Sequence, residues 1–245
     1  MLATRIIPTL LCRGRTLVKG QQFNSWRSVG NVAQAVRVHA MRGVDELVLL
    51  DIGATREGRR HDLALVEELA EVMTTPLAVG GGIRTVEDVR ELLRHGADKV
   101  VIRSSGTELV RRVADAVGCQ AIVAAIDVSG TEPSVYDDPE RWQRCARHWQ
   151  RAGAGEIMLT RMGREGMMNG YDLDLIRVVS EAVNIPVIAH GGCGTPEHML
   201  QAIQAGAHAV AAGSLFLFTD TTPADCARYL EQHGVEVRLR HEEVA

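Results

Sequence analysis

Short apolar runs alternate with longer segments of helical period along the whole 245-residue chain. The apolar runs predict strands over 5–11, 46–51, 77–79, 99–102, 121–127, 156–159, 186–189 and 209–212. Between them, apolar positions three and four apart predict helices over 31–42, 62–73, 85–95, 106–117, 139–152, 172–182, 195–205 and 222–233. Asp62 shows the logic: it stands at an N-cap, and Leu63, Val66, Leu69, Ala70 and Met73 follow at helical spacing to form one apolar face. Thr85 and Thr195 are similar caps, each followed by a glutamate (Glu87, Glu197) whose charge suits a first helical turn. Eight strand–helix units predict a closed (β/α)8 TIM barrel, one domain over 1–245.

The pattern also repeats within itself. Glu46 and Glu156 stand 110 residues apart, and that offset holds without a gap. It pairs Leu49 with Leu159, Asp62 with Asp172, Pro76 with Pro186, Gly81–Gly82 with Gly191–Gly192, Thr85 with Thr195 and Ser104 with Ser214. The chain therefore reads as two half-barrels of common design.

Composition narrows the classes. At 46% hydrophobic and 24% charged, the chain is expected to bury a sizeable core. A formal charge of −4, with no basic run, argues against nucleic-acid binding. No apolar stretch of membrane-spanning length and no signal-peptide pattern is present, so a cytoplasmic protein without membrane association is expected. The five scattered cysteines show no metal-ligand spacing and read as reduced thiols; neither a metal nor a cofactor is expected.

Two groups of residues could carry chemistry. VGGGIRTVED (79–88) and AHGGCGTPEH (189–198) each place a glycine turn before a capped helix, which exposes backbone N–H groups and a dipole end to an anion. Their alternative is simple tight-turn packing. Two symmetric copies favour a phosphate at each end of one substrate, and the candidate set is Gly81, Gly82, Ser104, Gly166, Gly191, Gly192, Gly213 and Ser214. The second group is Arg5, Glu46, Lys99 and Glu156, each at the start of a strand and hence on the barrel floor. They form either a salt-bridge plug or a polar ring that admits a small polar molecule.

The chain resembles the cyclase subunit family of imidazole glycerol phosphate synthase, HisF, through VDELVLLDI (44–52), VGGGIRTVED, GADKV (96–100), AIVAAID (121–127), GAGEIMLT (153–160), NGYDLDLI (169–176) and AVNIPVIAHGG (182–192). The resemblance implies a barrel whose floor docks a HisH-type glutaminase. Ammonia would enter through a gate formed by Arg5, Glu46, Lys99 and Glu156 and reach a bisphosphorylated ribulosyl substrate at the mouth. It places a catalytic carboxylate at Asp127, which otherwise reads as a solvated strand end.

The mouth departs from that family. Its second aspartate, at the tip of strand 1, is Leu11 here, a side chain that can neither move a proton nor stabilise a cation. Arg103 and Arg161 replace other polar mouth positions, and His190 stands where a serine is usual. The arginines suit a carboxylate or phosphate on an altered ligand, or else bridge to Glu57 or Glu165. His190 is either polar lining or a replacement proton carrier. The Leu10-Leu11 strand tip, ATREGR (54–59) and AAGSLFLF (211–218) resemble a divergent second HisF type linked to sugar amidotransferases of surface-polysaccharide synthesis. Three readings follow: an ammonia-using cyclase/lyase; an ammonia conduit serving a sugar amidotransferase; and a sugar-phosphate isomerase barrel, which leaves the floor charges unexplained.

Overall fold

A computed structural model describes residues 3–103, 106–129 and 138–238. Parallel strands β1 (Arg5–Arg13), β4 (Leu47–Asp51), β5 (Leu77–Gly80), β6 (Lys99–Arg103), β7 (Ile122–Val128), β8 (Glu156–Arg161), β9 (Val187–His190) and β10 (Ala209–Ala212) lie side by side in chain order. Pairing of Arg5 with Ala209 through Pro8 with Ala212 closes the sheet into the expected (β/α)8 barrel.

The predicted helices form as α1 (Val32–Met41), α2 (Leu63–Ala70), α3 (Val86–Arg94), α4 (Thr107–Val117), α5 (Pro139–Arg151), α6 (Leu173–Ser180), α7 (Pro196–Gln204) and α9 (Pro223–Gln232). A short α8 (Ser214–Phe218) was not anticipated. Caps explain the starts. Asp62 accepts from the Leu65 N–H and Asp172 from the Leu175 N–H, the same device in each half. At α3 Glu87 stands in the first turn as expected, and Asp88 completes the cap: it accepts from the Thr85 N–H while its own N–H donates to the Thr85 hydroxyl. On α2, Leu65, Val66 and Leu69 are buried, whereas Leu63 and Ala70, like Met73 beyond the helix end, are only partly covered.

Strand alternation divides the apolar residues into two layers. Ile7, Val48, Val123, Met158 and Ile188, with Ala78, Ala209 and Ala211, fill the barrel interior. A larger cluster packs between strands and helices. Among the described residues no helix is long and apolar enough to cross a membrane.

The chain after strand 1 is not a loop. β1 turns at Gly14 into β2 (Thr16–Gln21), which pairs antiparallel with β3 (Asn24–Asn31). Gln22 and Phe23 form a two-residue connection with φ of 52° and 61°, the sign pattern of a type I′ turn. This hairpin stands over the strand tips and carries Phe23 and Trp26 to the barrel mouth.

Candidate active site and charge ring

At the floor, the inward-facing side chains of Arg5, Glu46, Lys99 and Glu156 close into a cycle. Arg5 Nη1 donates to Glu46 Oε2 at 2.5 Å and Nη2 to Glu156 Oε2 at 3.1 Å. Lys99 Nζ donates to Glu46 Oε2 at 2.8 Å and to Glu156 Oε1 at 2.9 Å. Each cation thus holds both carboxylates, and charge alternates around the axis. Glu46 is 1% exposed, the deepest member of the ring. Burial works against the Arg5 charge, but the flanking carboxylates outweigh it and hold the guanidinium pKa above its ordinary value.

The opposite end opens into a cavity of about 250 Å³. Leu11, Leu50, Met158, Phe23 and Trp26 form its apolar walls, and Asp127, Thr160, His190, Asp51 and Arg103 supply polar groups. Arg13, Arg56 and Arg103 place three exposed guanidiniums around it, a setting suited to an anionic ligand. Phe23 and Trp26 lie 6.5 Å apart between ring centres, and the Arg103 guanidinium sits 5.8 Å from the Phe23 ring centre.

Asp127 lies on the inner face of β7. Burial raises its carboxyl pKa, opposed by the Arg103 charge and by a hydrogen bond from Thr160. Thr160 Oγ1 is also 3.0 Å from His190 Nδ1. Burial, with Lys19 nearby, pulls the His190 pKa down to about 3, so the imidazole is neutral.

The glycine turns have a steric cause as well as an electrostatic opportunity. A Cβ on Gly81 (φ +111°) would stand 2.2 Å from the Asp51 carbonyl oxygen, and one on Gly192 (φ +106°) 2.1 Å from that of Gly170. Gly82 and Gly191 also have positive φ. Close backbone approach therefore requires these glycines irrespective of any anion. Gly191, Gly192, Gly213, Ser214 and Gly166 do line one small recess, together with Lys19 and Glu165. Gly81 and Gly82 line a second, beside Arg60 and the N-terminal end of α3. Ser104 lies outside the described residues.

Arg161 departs from expectation. On β8, Glu156, Met158 and Thr160 point inward, so Arg161 points out of the barrel, where it is 2% exposed. Its Nε is 3.5 Å from Asp172, which rather than Glu57 or Glu165 is its ion-pair partner. Glu165 instead forms a buried ion pair with Lys19. Arg103 does line the mouth, but its acidic partner is Asp127, at 2.5 Å. Cys12 is buried on the outward side of β1, a packed thiol as its neighbours imply.

Lys19, Phe23, Trp26, Asp51 and Thr160 escaped the sequence reading. One signal was available: Phe23 and Trp26 fall within four positions of each other in a chain with three Phe and three Trp.

A (β/α)8 barrel with a carboxylate-bearing cavity at the C-terminal ends of its strands and a charged ring at their N-terminal ends defines an enzyme-type TIM barrel with a polar axial floor. The chain belongs to the family described as "Histidine biosynthesis protein", whose model matches residues 5–222. It is 43% identical over 250 aligned residues to the imidazole glycerol phosphate synthase subunit HisF of Thermococcus gammatolerans, covering 98% of this chain and 99% of that protein. To the same subunit of Pyrococcus furiosus it is 40% identical, covering 98% and 100%. To that of Exiguobacterium sibiricum it is 41% identical, covering 97% and 100%.

Proposed function

We propose that this chain is a HisF-type cyclase subunit. It receives ammonia from a HisH-type glutaminase through the Arg5–Glu46–Lys99–Glu156 ring and uses it at the mouth on a bisphosphorylated ribulosyl substrate. The observation that carries the reading is the ring itself. Four charged groups on the axis are an expensive way to fill a barrel floor, where apolar packing serves as well. Above the ring the interior is apolar, which suits neutral NH3 and disfavours ammonium. Passage requires one link of the ring to part, and Lys99, with its flexible stem, is the natural mover. Asp127 is the proton carrier of the reaction, in a desolvated setting that brings its carboxyl pKa toward the working range. The glycine turns and Lys19 hold the substrate phosphates.

Two observations favour a second reading, an ammonia conduit that serves a sugar amidotransferase. Leu11 puts hydrocarbon where a second carboxylate would share the acid–base work. Arg103 pairs with Asp127, the remaining member of that two-aspartate pattern. The assay that separates the readings supplies purified protein with an ammonium salt and the ribulosyl bisphosphate. Imidazole glycerol phosphate formation establishes the cyclase, and its absence with an authentic substrate removes it. Co-purification with candidate glutaminases, against Lys99→Ala and Glu156→Ala, tests the docking floor.

A further inference from the structure

Beside the mouth, three donor atoms of different chemistry converge behind the strand tips. Cys12 Sγ, an Asp51 carboxylate oxygen and a His61 ring nitrogen all lie within 4.8 Å of one another. Cys12 and Asp51 are register partners on adjacent parallel strands, and His61 comes from the segment that leads into α2. Sequence spacing gives no hint of this group, because the barrel wall assembles it. From it we infer a binding site for one divalent cation of the zinc type, held by Cys12, Asp51 and His61 and filled by displacement of Arg59.

His61 is the unsatisfied member of the group. Its side chain is 6% exposed, and neither ring nitrogen has a hydrogen-bond partner. A buried imidazole without partners carries an uncompensated desolvation cost, and a metal ion is a ligand that would repay it. Sulfur, nitrogen and oxygen donors together suit zinc, whose bonds to them run about 2.0–2.3 Å. Reaching those lengths requires the donors to close up by about 1 Å, a side-chain rotation rather than a strand movement.

Asp51 is occupied at present. Arg59 Nη1 donates to Oδ2 at 2.7 Å and Nη2 to Oδ1 at 2.9 Å, while Gly14, Gly53 and Ala54 donate from the backbone. Arg59 can leave. Its side chain is 33% exposed, and its Nε already bonds the surface carboxylate of Glu57 at 2.6 Å. Its departure leaves Oδ2 with the Gly14 N–H alone, which frees a lone pair. Charge balances: Arg59 and a protonated thiol give way to a dication and a thiolate, and the Cys12 proton passes to solvent. The ion would tie the tips of β1 and β4 to the segment entering α2. Because Asp51 also borders the mouth cavity, the ion would sit against the reaction chamber without replacing Asp127.

The test uses the full chain, stripped with a chelator and titrated with Zn²⁺ or Co²⁺. Expected are one tightly bound ion and a thiolate-to-cobalt charge-transfer band in the near ultraviolet. Cys12→Ala and His61→Ala should weaken binding at least about tenfold and abolish or shift the band. Arg59→Ala, a partly exposed change that leaves the core intact, should bind more tightly because the competing cation is gone. No band, unchanged affinity in both core variants, or weaker binding by Arg59→Ala would overturn the proposal.

Discussion

Arg103 places its Nε 2.5 Å from Oδ2 of Asp127, pairing the cavity's catalytic-type carboxylate with an exposed cation on the neighbouring strand. The pair opposes burial: desolvation lifts the Asp127 pKa and the guanidinium lowers it. Arg103→Met should therefore move the carboxyl pKa further up, with the acid side of any Asp127-dependent rate moving to higher pH. The Arg103 side chain is 59% exposed, so solvent screens the pair and the displacement is modest. Carboxyl NMR titration against Asp127→Asn reads it; a downward movement would refute the assigned role of Arg103.

The floor ring makes a stability prediction distinct from the transport role proposed for it. Lys99→Met leaves Glu46 and Glu156 sharing Arg5 alone, and Glu46 is almost wholly buried with its Oε1 unpartnered. Complete loss of a partner to a buried charge costs about 3–5 kcal/mol. Arg5 remains, so a loss of about 2 kcal/mol is expected. Urea denaturation measures it, and a neutral result would mean that the ring's links are worth no more than surface pairs.

Much of this molecule was legible because the barrel writes itself twice. The 110-residue offset links Asp62 with Asp172 and Gly81–Gly82 with Gly191–Gly192 in the sequence, and both pairs hold equivalent places in the fold. The hairpin was not legible. Its turn is Gln22-Phe23, without the Asn or Gly that normally marks two positive φ values, and β3 is too exposed to show an apolar run. Arg161 was misplaced for a different reason. Its strand runs two residues beyond the apolar stretch that predicted it, so its inward or outward facing could not be counted from the sequence. The Lys19–Glu165 pair joins positions 146 apart, a contact that only closure of the barrel creates.

Acid should unfold the protein through its buried histidines. His190 keeps its neutral form in the folded state down to about pH 3, and His39 to about pH 4, both through burial, against an ordinary value of 6.5. Between these limits the unfolded chain binds protons that the folded chain refuses. Stability therefore falls as pH drops from 6.5, and these groups have no effect well above it. For His190 the loss reaches about 3 kcal/mol near pH 4, at 1.36 kcal/mol per pKa unit. His190→Gln should flatten the pH dependence of the denaturation midpoint, and an unchanged slope would show that His190 is protonated in the fold.

Leu11→Asp offers the sharpest test of what the mouth does. Leu11 is 5% exposed and shares the cavity with Asp127, so an aspartate there would face the same ligand. Burial would raise its pKa and lower stability by about 2 kcal/mol, eased by Arg13 on the same wall. A second positioned carboxyl group is worth about 10²- to 10⁴-fold in proton transfer. If the cavity holds the ribulosyl bisphosphate in productive geometry, ammonium-dependent cyclisation should rise by a factor in that range. A folded Leu11→Asp variant with no gain would mean that the ligand's place, and not only its proton carrier, has changed. Ammonia leaving the ring would then serve a reaction completed on another protein.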